Sequence, residues 1–215
     1  DNTKHIRFKY ARNHADYYAH LPGGKPTGRS IEPEIIDLRL LKEWEGLLLE
    51  PTISTKGFTM TGQEFHKVNM ITQTINGKAT SLKLGTRMIT SKWTGARYAS
   101  LGRALIARLA LSYKKSGGKF RVNTAFKDFI MEQNRVIGIV VQSNGKELRI
   151  KANRGVILGA GGFSQNQEKR QQYLPHPTNK EWTSSPAGQT GDIIEPSKKL
   201  GAKFDLMEHV WGAPS

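Results

Sequence analysis

A short apolar run that leads into glycines constrains the fold of this chain more than any other feature. Val156, Ile157 and Leu158 are followed directly by Gly159-Ala160-Gly161-Gly162. An apolar run of this length that is bounded by glycine predicts a buried strand. Glycines after a strand permit a sharp turn and let a flat ligand approach the bare backbone. The pattern therefore indicates either a ligand site at the end of a strand or a tight turn.

The composition is typical of a soluble globular protein with one large domain or two small ones. Of the 215 residues, 37% are hydrophobic and 24% are charged, and cysteine is absent. The absence of cysteine excludes disulfides, thiol nucleophiles and Cys-ligated zinc, and the six histidines show no metal-binding spacing. No apolar run approaches the roughly 20 residues of a membrane helix, and no signal peptide is recognisable. These features predict a cytoplasmic protein without a metal site.

The chain is strongly basic, with 33 Lys and Arg residues, 18 Asp and Glu residues and a net charge of +15. Such a balance is compatible with binding to nucleic acid, an anionic membrane or a polyanionic ligand. The basic residues are scattered, however, and no nucleic-acid-binding motif accompanies them. We therefore expect most of the charge to lie on solvated surface. A basic module that binds nucleic acid or an anionic surface is the alternative from another functional class.

Periodicity and turn residues predict an α/β chain with an antiparallel inset. Thr61 and Glu64 form a capping box at a helix start, while Asn144-Gly145 marks a hairpin and Asn76-Gly77 a turn. Residues 81–99 show no clear period. The predicted helices cover residues 38–49, 61–71, 101–112, 165–173 and 195–200, and the predicted strands cover residues 120–125, 136–141, 147–151 and 156–158.

Several motifs follow one another in an order known from one group of enzymes. They are Asp16-Tyr17-Tyr18, Pro22-Gly-Gly24, Gly28-Arg-Ser-Ile-Glu-Pro33, Gly102-Arg-Ala-Leu-Ile-Ala-Arg-Leu109, Arg154-Gly-Val-Ile-Leu-Gly-Ala-Gly-Gly-Phe163 and Thr190-Gly-Asp192. The set resembles the flavoproteins of the fumarate reductase/succinate dehydrogenase superfamily. Within that superfamily, the block from residue 16 to residue 33 is most similar to the 3-ketosteroid Δ1-dehydrogenases.

The resemblance implies part of a two-domain oxidoreductase that binds FAD noncovalently and contains a mixed sheet with helices and a hairpin. Residues 1–163 would belong to the FAD-binding domain, and residues 164–215 would begin the catalytic domain. The family's G-x-G-x-x-G fingerprint is absent, so we expect an interior fragment that is inactive alone. Such a fragment would leave sheet edges open, which favours a homodimer.

The resemblance also implies two sets of cofactor-binding residues and a main-chain contact to adenine. The first set is Ala160, Gly161, Gly162 and Phe163, the second is Thr190, Gly191 and Asp192, and the adenine contact is at Val122. Each of these cofactor-binding assignments has a purely structural alternative. The glycines would serve as well in a tight turn, Val122 in a core strand, and Thr190 and Asp192 as a helix cap.

Tyr17 and Tyr18 are the candidate catalytic residues. The resemblance implies a reaction that dehydrogenates or reduces a carbon–carbon bond beside a carbonyl, with a 3-ketosteroid or similar hydrophobic ketone as substrate. A phenol accepts a proton if its neighbours stabilise the anion, so one tyrosine would assist a base that lies beyond residue 215. The alternative is an aromatic pair that packs a loop. We also expect an ion pair between Arg29 and Glu32.

A related flavoprotein that acts on a dicarboxylate, as fumarate reductase does, is the alternative within enzymes. Its substrate carboxylates would need a clamp of arginine and histidine side chains. The residues available for such a clamp near the end of the chain are Arg170, His176 and His209, and their spacing matches no recognisable clamp.

Overall fold

The computed structural model describes residues 4–11, 14–50 and 58–210. They fall into two compact units, of which the first ends at Phe120 and the second begins at Arg121. The division that the sequence predicts at residue 163 concerns the domains of a complete enzyme, and it stays a prediction. Each unit is described by itself.

The first unit contains two small antiparallel sheets. Strand β1 (Phe8–Tyr10) pairs with β2 (Ile31–Pro33), and β3 (Ile36–Asp37) pairs with β4 (Tyr98–Ala99). A 3₁₀ segment, Leu38–Leu47, directly follows β3 and is bent at Lys42, where φ is 55°. The helix predicted at residues 38–49 is therefore present as a bent 3₁₀ segment.

Three α-helices complete the first unit: α1 (Gly62–Val68), α2 (Ile75–Thr94) and α3 (Leu101–Lys115). The capping box at the start of α1 is confirmed. The Thr61 hydroxyl accepts the amide of Glu64 at 3.2 Å, and the Glu64 carboxylate accepts the amide of Thr61 at 3.1 Å.

The turn predicted at Asn76 and Gly77 is wrong, because both residues lie in the first turn of α2. The Thr74 hydroxyl caps this helix by accepting the Gly77 amide at 2.9 Å. A Cβ atom on Gly77 would lie 2.6 Å from the carbonyl oxygen of Met70. Glycine is needed here because the backbone approaches closely, and not because the chain turns.

The core of the first unit is formed where small residues of α3 meet β3, β4 and the 3₁₀ segment. The buried cluster consists of Ile36, Leu38, Leu41, Ala99, Ala104, Ala107, Ala110 and Leu111. Leu101 and Leu109 of the same helix are exposed. The helix predicted at residues 101–112 is thus confirmed, and its buried face is rich in alanine, which permits close approach.

The second unit begins with an antiparallel sheet of three strands: β5 (Thr124–Glu132), β6 (Arg135–Ser143) and β7 (Lys146–Lys151). The predicted hairpin is confirmed, since Asn144 and Gly145 both have positive φ, as a type I′ turn requires. The sheet is followed by α4 (Gln167–Tyr173), a 3₁₀ turn (Lys180–Trp182) and α5 (Ile194–Lys199). Every strand pair among the described residues is antiparallel.

Two strand predictions in the second unit need correction. Residues 156–158 form no strand, and Ile157 is 98% exposed. Apolar character alone does not make a strand, because a strand needs a paired neighbour, and this segment has none among the described residues. The strand predicted at residues 120–125 begins only at Thr124, since Asn123 has a φ of 51° and departs from extended geometry.

Glu64 provides a test of how the first unit is held together. This buried carboxylate accepts two 2.9 Å hydrogen bonds from the Arg87 guanidinium and lies 3.1 Å from the Lys83 ammonium. We expect Glu64→Gln to lower the free energy of unfolding by about 3 kcal/mol at neutral pH, because it leaves a half-buried guanidinium without its counter-ion. Urea unfolding of the wild type and the variant measures this difference.

The difference in the free energy of unfolding between the wild type and Glu64→Gln should depend on pH. Burial acts to raise the pKa of Glu64, but hydrogen bonds from Arg87, the Thr61 amide and Lys83 outweigh it and lower the pKa to about 2. The stabilisation is therefore present above the pKa of the unfolded carboxyl and is lost as the pH falls towards 2. Glu50→Gln is the control, since Glu50 forms a similar two-bond pair with Arg103 but is exposed. An equal loss in both variants would contradict the argument.

Candidate functional site

The two predicted catalytic tyrosines lie on a segment of the first unit that runs from His14 to Ser30 and lines a cavity of about 900 Å³. Tyr17 is 86% exposed and Tyr18 is 65% exposed. Two phenol groups are therefore presented at the cavity rather than packed into the core. Such an arrangement suits side chains that meet a ligand.

A pair of opposite charges closes this segment. The Asp16 carboxylate accepts the backbone amide of Lys25 at 2.9 Å and is hydrogen bonded by two nitrogens of the Arg29 guanidinium. Arg29 also donates to the carbonyl of Gly23 at 3.3 Å, and the amide of Asp16 donates to the carbonyl of Lys25 at 2.9 Å. We call this set of bonds the Asp16–Arg29 clasp.

The predicted pair of Arg29 and Glu32 is wrong, because Asp16 engages the guanidinium instead. Glu32 is buried, accepts the amide of Gly62 at 2.7 Å and lies 3.5 Å from the Lys9 ammonium. It thereby joins β2 to the start of α1. The two carboxylates have separate structural tasks in this part of the unit.

The amide of Lys25 contributes most to a lowered pKa of Asp16; burial acts in the opposite direction, and the Arg29 guanidinium lowers the pKa further. Asp16 therefore stays ionised at neutral pH and holds the clasp closed. Its charge is compensated by Arg29, so the segment presents its two tyrosine side chains beside a balanced ion pair.

The Pro-Gly-Gly turn sets the path of the backbone behind Tyr18. The Leu21 amide donates to the carbonyl of Tyr18 at 3.0 Å, and the Gly24 amide donates to the carbonyl of Leu21 at 2.8 Å. A Cβ atom on Gly24 would lie 2.3 Å from the Tyr18 carbonyl oxygen. Only glycine allows this approach, so Gly24 helps to fix where Tyr18 stands.

In the second unit, the structure brings the two predicted cofactor segments together. The amide of Gln165 donates to the carbonyl of Gln189 at 2.9 Å, and the Asn166 side chain donates to the carbonyl of Thr190 at 3.1 Å. The side chain of Gln189 would lie 3.5 Å from a Cβ atom on Gly161 and 3.8 Å from one on Gly162. The glycine turn and the Thr190 segment are therefore neighbours.

The glycine turn, residues 159–162, is open to a ligand. Gly161 has a φ of 76°, a conformation that favours glycine. All four residues are exposed, and their amides take part in no backbone-to-backbone hydrogen bond among the described residues. An exposed turn with free amides and no side chain beyond the Cβ of Ala160 fits a flat, polar cofactor such as a flavin nucleotide.

Gly191 is a buried packing residue. It is buried, and a Cβ atom there would lie 2.8 Å from the Cβ of Phe163 and 3.0 Å from Lys169. The Thr190 hydroxyl donates to the carboxylate of Asp192 at 2.8 Å, and Asp192 is exposed. Neither side chain caps α5, whose N-cap residue is Ile193, so the helix-cap interpretation is wrong.

Val122 and Phe163 occupy different surroundings. Val122 precedes β5 and is exposed, and its carbonyl accepts the Thr124 hydroxyl at 2.9 Å. No hydrogen bond of the described residues connects Val122 with the glycine turn. Phe163 is half-buried, and its ring centre lies 5.4 Å from that of Tyr173. Val122 is therefore not a core strand residue.

Two features of the site were not predicted from the sequence. The clasp has a signal in the sequence, since Asp16 and Arg29 flank the Pro-Gly-Gly turn with opposite charges. The position of Gln189 has no such signal, because it depends on the meeting of segments that lie 24 residues apart or more. Across the described residues, no three His, Cys, Asp or Glu side chains are grouped as a metal site would need.

Comparison with known proteins identifies the family. The model of a family described as FAD binding domain matches residues 37–215, and the chain therefore belongs to this family. The expectation of an FAD-binding dehydrogenase fold that combines helices with antiparallel sheets is confirmed.

Individual relatives agree with this family. The chain is 37% identical to 3-oxosteroid 1-dehydrogenase of Mycolicibacterium smegmatis over 98% of its own length, and 35% identical to the enzyme of that name from Mycobacterium tuberculosis over 99%. It covers 38% and 39% of those proteins, so it spans about two fifths of the curated relatives it matches.

A solved structure is similar as well. It is 3-ketosteroid Δ1-dehydrogenase from Sterolibacterium denitrificans in complex with 1,4-androstadiene-3,17-dione. The TM-score is 0.85 at 36% identity, over 97% of this chain and 40% of that one. The resemblance to the 3-ketosteroid Δ1-dehydrogenases is thus confirmed.

The clasp is testable without any ligand. We expect Asp16→Asn to speed hydrogen exchange several-fold at the amide of Lys25 and through residues 16–29, because a neutral amide holds the guanidinium less strongly. Exchange measured by mass spectrometry at neutral pH reports the change. Lys25→Gln is the control, since Lys25 bonds to Asp16 through its backbone only. Equal protection in Asp16→Asn and the wild type would contradict the role of the clasp.

The packing role of Gly191 is tested by Gly191→Ala. Its φ of 71° and the close Phe163 predict a loss of about 2 kcal/mol in the free energy of unfolding. Gly188→Ala in the same loop is the control, because its Cβ would meet nothing within 4 Å. Thermal or urea unfolding followed by circular dichroism measures both. A stable Gly191→Ala protein would instead leave Gly191 free for a cofactor.

Proposed function

We propose that this protein is an FAD-dependent oxidoreductase that removes two hydrogens from adjacent carbons beside a ketone, with a 3-ketosteroid or similar hydrophobic ketone as substrate. The observation that carries the proposal is the closed segment at residues 14–30, which presents two exposed tyrosines at a cavity of about 900 Å³. The same block of sequence resembles the steroid dehydrogenases, and the relatives named 3-oxosteroid 1-dehydrogenase support this substrate class.

The reaction divides between the cofactor and the side chains of this chain. FAD supplies the hydride acceptor when it is bound. The hydroxyl of Tyr17 or Tyr18 takes part in moving the proton, because a phenol in hydrogen-bond reach of the reacting carbon or of a neighbouring base serves as acid or base. The clasp holds the backbone segment that carries these tyrosines, and Arg29 neutralises the nearby Asp16 carboxylate.

The cofactor contacts we propose come from the second unit. The amides of Ala160, Gly161 and Gly162 are the free donors of an exposed turn, and Phe163 begins the packed part that supports it. Thr190 and Asp192 lie beside this turn through the Gln189 contact, and Gly191 permits the packing. Val122 contributes its main chain only. In this proposal, residues 1–163 belong to the FAD-binding domain and residues 164–215 to the catalytic domain.

The structure gives little support to a dicarboxylate substrate. The Arg170 guanidinium is buried and donates to the Thr178 hydroxyl at 3.1 Å and to the carbonyl of Ser164 at 3.3 Å. His176 is hydrogen bonded to the carbonyl of Gln171 at 3.0 Å. These two side chains hold the local structure together and are not free to clamp a carboxylate.

Flavin absorbance tests the proposal and separates the two substrate classes. We expect FAD added to the protein, purified at the full length of its 3-oxosteroid 1-dehydrogenase relatives, to remain with it through desalting. A ketosteroid added without oxygen should then bleach the visible absorbance of the oxidised flavin, since the substrate gives up a hydride. A dicarboxylate reductase would behave differently, because fumarate would restore the colour of the chemically reduced protein. A protein that retains no flavin would overturn the proposal.

The tyrosines are tested by Tyr17→Phe and Tyr18→Phe. In at least one of these variants we expect the ketosteroid to bleach the flavin about 100-fold more slowly, with flavin retention unchanged, because only the proton-carrying hydroxyl is removed. Tyr10→Phe is the control, since Tyr10 is exposed on β1 and lies outside the cavity lining. Wild-type rates in both tyrosine variants would show that the pair only packs the loop.

A further inference from the structure

Helix α2 carries an apolar stripe on its exposed face. Four large residues lie along it: Ile75 at 85% exposure, Leu82 at 72%, Ile89 at 53% and Trp93 at 89%. An isolated exposed apolar residue is ordinary on a protein surface, but a row of four along one helix is not. We call these four residues the α2 stripe.

The spacing of the stripe shows that it is a single surface. Steps of seven, seven and four residues along an α-helix place the four side chains within about 40° of one line. The buried residues of α2 are Gly77, Thr80 and Leu84, and they lie on the opposite side of the helix. The helix therefore packs on the first unit through small residues and turns its large apolar residues outward.

The charges beside the stripe have one sign. Helix α2 contains no Asp or Glu, and Lys78 and Lys92 are exposed along one flank. Neither forms an ion pair within the part of the chain that the structure describes. Lys83 lies on the other flank and reaches Glu64 at 3.1 Å. The surface is thus an apolar centre with an uncompensated basic margin.

This combination fits the surface of an anionic membrane. A helix that lies in a lipid interface buries its apolar face at the level of the headgroups and turns Lys and Arg towards lipid phosphates. Tryptophan is favoured at that depth, and long lysine side chains extend back to the charged layer. Among the described residues, no helix is long and apolar enough to cross a membrane, so the geometry is one of lying on the bilayer.

The pattern fits a second copy of the chain less well. A coiled-coil seam needs apolar residues at both the a and the d positions of each heptad. If Ile75, Leu82 and Ile89 are a positions, the d positions are Lys78, Gly85 and Lys92. Two lysines and a glycine would leave the seam without apolar d residues, and the lysines of two copies would repel each other.

We propose that α2 binds the surface of an anionic phospholipid membrane, with the α2 stripe at the level of the headgroups and acyl chains and with Lys78 and Lys92 beside the lipid phosphates. A helix of 20 residues lying flat is about 30 Å long. The site is independent of the proposed catalytic activity and needs no cofactor.

Flotation with lipid vesicles tests the proposal on the whole chain. We expect the protein to float with vesicles that contain phosphatidylglycerol, to bind vesicles of pure phosphatidylcholine weakly, and to be released in part by high salt. The double variant Leu82→Gln/Ile89→Gln should reduce the partition coefficient at least about tenfold. Ile106→Gln on α3 is the control, because Ile106 is as exposed as Ile89 but lies outside the stripe.

The lysines are tested separately. Lys78→Gln/Lys92→Gln should reduce partitioning onto anionic vesicles roughly 30-fold, from about a fivefold contribution of each residue near an anionic surface. Lys25→Gln/Lys119→Gln removes the same charge elsewhere on the first unit, and we expect it to change partitioning much less. Equal losses in both double variants would show that net charge alone binds the protein, which would overturn the site.

A depth measurement completes the test. The chain contains no cysteine, so Thr86→Cys provides a single attachment point for an environment-sensitive dye in the middle of the stripe. Dye fluorescence should rise several-fold when anionic vesicles are added. Absence of flotation at low salt, an unchanged dye signal, or a stripe-dependent dimer in ultracentrifugation without vesicle binding would each overturn the proposal. Circular dichroism confirms that the exposed substitutions leave the fold intact.

Discussion

The buried guanidinium of Arg108 is the interaction on which the first unit depends. It donates to the carbonyls of His5 at 2.9 Å, Glu34 at 2.8 Å and Ile35 at 2.8 Å. Burial is the main cause of its lowered pKa, and the cost of that burial is offset by three good hydrogen bonds and the nearby Glu34 carboxylate. One side chain on α3 thus fixes the backbone at His5 and the link between β2 and β3.

That link matters because the tyrosine segment is attached to it. Residues 14–30 lie between β1 and β2, which pair along their whole length. With β2 held through Arg108 and through the Glu32 contact to α1, the segment has a rigid base. The clasp then needs to close only a loop of fourteen residues, Asp16 to Arg29. Local charge and long-range packing therefore cooperate in placing Tyr17 and Tyr18, and neither would suffice alone.

Much of the local structure could be predicted from the sequence, because its signals are local. The capping box at Thr61, the hairpin at Asn144 and Gly145, and the Pro-Gly-Gly turn each depend on a few adjacent residues, and each is present. The prediction of a strand at residues 156–158 was wrong, because an apolar run does not reveal whether a neighbouring strand is available for pairing. The helical position of Gly77 also depends on backbone outside its own helix, here the carbonyl of Met70.

The candidate site could likewise be predicted from the sequence only in part. The family could be recognised from the order of short motifs, and the comparisons confirm it. The glycines of the motifs, however, lie in different surroundings. Gly161 is exposed, with free space around it apart from Gln189, whereas Gly191 is buried against Phe163. A motif records that glycine is required but not whether a ligand or a side chain requires it, so only the packing separates a binding glycine from a structural one.

The net charge of +15 includes basic side chains that have partners in the structure and basic side chains that have none among the described residues. Cations such as Arg29, Arg87 and Arg108 hold carboxylates or carbonyls and so belong to the structure. Lys78 and Lys92 have no such partner among the described residues and lie beside exposed apolar side chains. A hydrophobic ketone dissolves better in a bilayer than in water, so a dehydrogenase held at that surface would meet its substrate where it is concentrated. The unpaired lysines and the proposed hydrophobic substrate therefore both favour binding of the protein at a membrane surface.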